Sequence, residues 1–107
     1  MATTTIDPEA DVVTLINVFS VAADKQQELV RLLEQATVDV MRKLPGFVSA
    51  NIHRSLDGTH VANYAQWKTP EDFKRMLNNP EAQHHMRKVS ELAQAAPILY
   101  DVTSVHT

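Results

Sequence analysis

Cysteine is absent from this chain, and glycine occurs only twice. Without thiols there is no disulfide, no thiolate-bound metal and no cysteine nucleophile. Gly46 and Gly58 each sit at a turn signal, so neither is left for a glycine-rich phosphate loop or a dinucleotide fingerprint. Basic charge is sparse too: ten Lys and Arg against thirteen Asp and Glu leave a net charge of -3. Those basic residues are scattered, which argues against a nucleic-acid grip built on phosphate neutralisation. No apolar run approaches the ~20 residues that a bilayer span requires. The stretch from Met1 to Asp11 is polar and acidic, unlike a secretory leader. These exclusions lead to the expectation of a cytoplasmic protein without nucleic-acid or membrane partners. Residues 1–11 are expected to form a flexible arm and 12–107 a single domain.

What is present is periodicity. Val12 to Val21 is rich in β-branched and aromatic residues and predicts a strand. Its faces, Val13-Leu15-Asn17-Phe19 and Val12-Thr14-Ile16-Val18, are both largely apolar, so both should be covered. Asp24 is expected to cap a helix, with Gln27 at the capping-box position. Leu29, Leu32, Leu33, Ala36, Val40, Met41 and Leu44 then recur at helical spacing, and the helix should stop near Lys43 before Pro45-Gly46. Phe47 to Ser55 and His60 to Lys68 predict strands, joined by a two-residue Asp57-Gly58 hairpin. Thr69-Pro70-Glu71-Asp72 opens a helix to about Leu77. It breaks at Asn78-Asn79-Pro80 and resumes to about Ala95, and Ile98 to Val105 predicts a last strand.

The resulting order, β-α-β-β-α-β, is the ferredoxin-like α+β arrangement, with four strands in one sheet and the helices on one face. Apolar residues on the other face need a partner, most simply a second copy of the chain.

One strand carries the chemistry. Alternation puts Asn63, Ala65 and Trp67 on one side of Val61 to Trp67. An amide and the chain's sole indole facing one space suit a flat, oxygen-bearing molecule. Asn17 interrupts an apolar face, where a buried amide lacking a partner costs about 1–3 kcal/mol. It either faces a pocket or bonds neighbouring backbone at a bulge. Trp67 is a core anchor, a ring contact for substrate, or both. Arg87 either joins a solvated helix face or binds an anion, and His53 is either a base or a surface strand residue. His84 and His85 point about 100° apart on a helix and do not converge on a metal. No Ser-His-Asp spacing is evident, and no metal site is expected.

Leu44-Pro45-Gly46-Phe47, and Asp57-Gly58-Thr59 leading into Asn63-Tyr64-Ala65-Gln66-Trp67, resemble the antibiotic biosynthesis monooxygenase family from Val12 to Val105. The last segment is similar to cofactor-free polyketide oxygenases that convert anthrones to anthraquinones. The resemblance implies a homodimeric α+β barrel, a small aromatic substrate, O2 as co-substrate and no cofactor. It implies a working set of Asn17, Asn63 and Trp67, with Leu15-Ile16-Asn17-Val18-Phe19 carrying the first. In a second branch an Arg and two Tyr also line the pocket. These positions fall on Arg87, Ile52 and Phe73, so both phenols are missing here and the Asn/Asn/Trp version is favoured. Arg87, Phe73, Ile52 and His53 are the expected substrate-binding residues. A haem-degrading branch would place its Trp at Met76 and its His at or beside Met86, next to His85. A non-catalytic dimer that binds a hydrophobic metabolite is a further alternative.

Overall fold

The computed structural model describes residues 2–107. Strand β1 (Val13–Val21) leads through a short 3-10 turn (Ala23–Lys25) into helix α1 (Gln26–Asp39). A second 3-10 turn (Met41–Lys43) precedes β2 (Phe47–Arg54), which is followed by β3 (His60–Trp67). Helices α2 (Pro70–Leu77) and α3 (Pro80–Ser90) come next, and β4 (Ala93–Gln94) and β5 (Pro97–Tyr100) end the ordered elements. The sheet runs β2-β3-β1, with β4 and β5 both pairing with the free side of β1, and every pairing is antiparallel. This is the expected ferredoxin-like α+β fold, its last strand broken in two. No described helix is long and apolar enough to cross a membrane.

The sheet buries one face under the helices. Leu15, Ala65 and Trp67 pack with Val40, Phe73, Met76 and Ala82 in one cluster. Phe19, Val21 and Val61 pack with Leu29 and Val89 in a second. The apolar positions of α1 and α3 thus meet the odd-numbered side chains of β1 and β3, as the two periodicities require.

Four local expectations are corrected. Asp24 does not cap α1: the extended residue is Ala22 (φ -65°, ψ 142°), and Asp24 already lies inside the 3-10 turn. An N-cap side chain needs an extended backbone at its own position, so no Asp24–Gln27 capping box forms. Gln26 instead donates to the carbonyls of Ser55 and His60, which fastens the start of α1 to the hairpin. Second, α1 stops at Asp39, because Val40 leaves the helical region (φ -129°) before the 3-10 turn.

Third, the hairpin loop is four residues, 56–59, between the bonded pair Ser55 and His60. Asp57 accepts from the Ser55 hydroxyl and from the Thr59 amide and hydroxyl, which favours a longer turn over a two-residue one. These bonds, the Ser55 hydroxyl first, lower the Asp57 carboxyl to about 2. A depressed carboxyl contributes its stabilisation above its ordinary range and loses it as pH falls through the folded value. The Thr59 amide should therefore move in an NMR titration as pH drops from about 4 towards 2. A Thr59 amide unmoved over that range would contradict the bonded carboxylate.

Fourth, α3 ends at Ser90 rather than near Ala95, and the last strand ends at Tyr100 rather than Val105. Glu91 closes the helix by donating to the carbonyls of Lys88 and Val89. Ala93 and Gln94 are then pulled into pairing with Val21 and Ser20. Tyr100 pairs with Thr14, next to the first residue of β1, so the chain beyond it runs out of partner strand.

Other expectations hold. The Thr69 hydroxyl accepts from the Asp72 amide with Pro70 in the first turn, and the Asn79 side chain accepts from the amides of Glu81 and Ala82 ahead of α3. Gly46 has φ +84°, and a Cβ there would overlap the Asp72 side chain. Its carbonyl accepts from Lys68, which joins the start of β2 to the end of β3. Gly46→Ala should lose roughly 1–3 kcal/mol from backbone strain, and more from displacing Asp72. Chemical denaturation reads this directly, and an unchanged midpoint would contradict it.

Candidate active site

Between the sheet and the helices lies a cavity of about 220 Å³. Its floor is set by strand register. Asn17 pairs with Asn63, Leu15 with Ala65, and Val13 with Trp67. Directly opposed residues of an antiparallel pair share a face with Cβ atoms about 5 Å apart. The two amides therefore stand side by side, and both line the cavity with Leu15, Phe19, Ala65 and Trp67. The helices close the other side with Thr37, Phe73, Met76, His85, Met86 and Val89. A larger hollow of about 560 Å³ near Ser20, His60 and Leu92 is a shallow surface depression open to solvent, with no enclosed apolar space to hold an aromatic ring.

The two amides differ in how they are held. The Asn17 side-chain oxygen accepts from the Ala96 N–H, 3.1 Å away, at the break between β4 and β5. Both sequence readings of Asn17 thus apply: it bonds irregular backbone and it lines the pocket. With its oxygen engaged, its NH2 is the end left for a pocket occupant. Asn63 is the opposite case, because its Oδ1 is buried without any partner among the described residues. A buried polar atom without a protein partner that faces a pocket is free to bond a pocket occupant. The amide torsion is broad and two-fold, so a half-turn would present the NH2 instead.

Trp67 is 2% exposed and bounds the cavity while filling the core. Its ring meets Phe47 edge-on at 5.6 Å and Phe73 at 6.4 Å. Both geometries are the favourable edge-to-face kind, which fixes the indole plane.

The other expected site residues are spread more widely. Phe73 lines the cavity. Ile52 pairs with Asn63 but packs into the second core cluster, outside the lining. His53 lies on the opposite sheet face, exposed, its Nδ1 donating to the Asn51 carbonyl. Arg87 is exposed and also outside the lining. Ala82, His85, Met86 and Val89 share one side of α3, and at 100° per residue Arg87 falls on the other. Pocket roles for Ile52, His53 and Arg87 therefore lack geometric support.

His85 does line the cavity, although the sequence reading treated it only as a candidate metal or haem ligand. The signal was available in the Ala82-Met86-Val89 stripe, whose helical phase includes position 85. No group of three or more potential metal ligands occurs among the described residues.

The chain is similar to known proteins in sequence and in fold. The model of the antibiotic biosynthesis monooxygenase family matches residues 12–88. Tetracenomycin-F1 monooxygenase of Streptomyces glaucescens is 46% identical over 99 residues, covering 92% of this chain and 88% of that protein. A monooxygenase from the gene ActVA-Orf6 of Streptomyces coelicolor, solved with nanaomycin D, superposes with a TM-score of 0.80 at 27% identity, covering 94% of this chain and 95% of its own. SnoaB, a cofactor-independent oxygenase from Streptomyces nogalater, gives 0.72 at 25% identity, over 90% of this chain and 97% of that one. With the fold, the family match and a relative this similar in agreement, the chain belongs to the antibiotic biosynthesis monooxygenase family.

Proposed function

We propose that the chain is a cofactor-independent monooxygenase that uses O2 to oxidise an aromatic polyketide of anthrone or quinol type to a quinone. The observation that carries this reading is the paired amides of Asn17 and Asn63, facing an apolar cavity bounded by Trp67. Support comes from relatives described as a tetracenomycin monooxygenase and as a cofactor-independent oxygenase.

The substrate supplies the electrons. Loss of a proton turns the anthrone into an electron-rich enolate that reacts with O2 at carbon. Amide NH2 groups from Asn17 and Asn63 stabilise the charge that develops on the ring oxygen, in the manner of an oxyanion hole. Trp67, Phe73 and the flanking aliphatic side chains hold the rings and exclude water, which strengthens those hydrogen bonds. Loss of water from the peroxide then leaves the quinone.

The test is turnover of an emodin-type anthrone with a chelator present, in air and under argon. Quinone formation with matching O2 uptake, insensitive to chelator and absent under argon, is expected. No O2 uptake above the enzyme-free rate, or turnover abolished by the chelator, would remove the reading.

The working form is a homodimer that joins the open sheet faces. Val18, Ile98 and Tyr100 on that face are 39%, 55% and 44% exposed, an apolar strip along β1 and β5. Beside it the arm reaches β2 and β3: Thr4 donates to Asn51, and Gln66 donates to the Thr5 carbonyl. Light scattering should give twice the chain mass, and Ile98→Glu should lower it towards one.

A further inference from the structure

We infer that His85 is the base that ionises the substrate, an inference that rests on the oxygenase reading above. Of all the side chains lining the cavity, His85 alone is of a type that gains or loses a proton near neutrality. Every other polar group there is an amide, a hydroxyl or an indole. Both hydroxyls are already committed, Thr37 to the Leu33 carbonyl and Ser90 to the Arg87 carbonyl. The amides cannot accept a proton at these pH values, so the floor of the cavity offers charge stabilisation without a proton acceptor.

His85 stands on the helix side, facing that floor across the space a flat substrate would fill. Its neighbour His84 is exposed, outside the lining, with its ring edge-on at 5.9 Å. The cavity thus has an oxyanion side on β1 and β3 and a basic side on α3, the division that proton abstraction beside a carbonyl needs.

The proton balance closes. The imidazole nitrogen takes the first proton from the anthrone CH2, and the C–H electron pair moves to the ring oxygen facing the amides. The carbanionic carbon forms a bond to O2, which is reduced to a peroxide anion, and the imidazolium returns its proton to give a hydroperoxide. The freed imidazole takes the second proton from the same carbon. The C=O bond forms as the O–O bond breaks, and the departing hydroxide receives that proton as water. CH2 and O2 become C=O and H2O, with the imidazole regenerated.

The probe is 1,8-dihydroxyanthrone, used in two measurements on the wild type, His85→Ala, His85→Gln and His84→Ala. Without O2, the long-wavelength absorbance of the bound anthrone anion reads the first proton transfer alone. In air, O2 uptake gives kcat and KM. The wild type and His84→Ala should form the anion and turn over alike. Both His85 variants should lose the anion band and fall in kcat by at least about 10², the usual contribution of general-base catalysis. KM should change by only a few-fold, and added imidazole should restore part of the kcat of His85→Ala. Anion formation and kcat retained in both His85 variants would overturn the assignment, and leave the oxygenase reading standing. A wild type that ionises the probe without taking up O2 would keep the base and remove the oxygenase. A wild type that does neither removes both.

Discussion

Asn63→Ala is expected to lower the turnover of an anthrone by about 10²–10³, the cost of deleting one oxyanion donor. Stability should hardly change, because the Asn63 side-chain oxygen has no protein partner to lose. That combination, a large kinetic loss with an unmoved unfolding midpoint, marks a group that serves the reaction rather than the fold. Asn17→Ala should behave differently. It also deprives the Ala96 N–H of its acceptor at the β4–β5 break, so it should lower both turnover and stability. If Asn63→Ala turns over at the wild-type rate, the oxyanion role is wrong.

The second large effect concerns Trp67. Truncation to alanine should destabilise the domain by roughly 3–5 kcal/mol, the range for a buried large aromatic. The indole is almost fully buried between Phe47 and Phe73, and its loss would leave a void joined to the substrate cavity. Trp67→Phe keeps a ring in place and should cost far less stability. If the indole also orients substrate, Trp67→Phe should lower kcat while the fold survives. Denaturation midpoints with steady-state kinetics separate the two roles. Wild-type kcat in Trp67→Phe would reduce the residue to a core anchor, and a stable Trp67→Ala would deny even that.

Much of the fold was legible in the chain because it is written in local patterns. The strand alternation of Val13–Val21 and His60–Trp67 and the Thr69-Pro70 and Asn79-Pro80 helix starts each depend on neighbours within a few residues. The misplaced ends depend on distant partners. Whether Asp24 caps α1 was decided by a turn beginning at Ala23, while the hairpin supplied the acceptors for Gln26. Where the last strand stops was decided by where β1 begins.

The candidate site divides along the same line. By itself, the sequence determined the β-α-β-β-α-β order of elements along the chain, the shared face of Asn63 and Trp67, and the exclusion of thiol and phosphate-loop chemistry. It also carried the family likeness, since that lies in short contiguous segments. Only the tertiary structure set Asn17 directly opposite Asn63, because cross-strand register is a long-range pairing that alternation alone leaves open. Only it tied the oxygen of Asn17 to Ala96 and left that of Asn63 unpaired. Helix phase relative to the sheet then turned His85 into the cavity and Arg87 away from it. Which face of α3 meets the sheet is a property of packing between elements, and no single segment carries it.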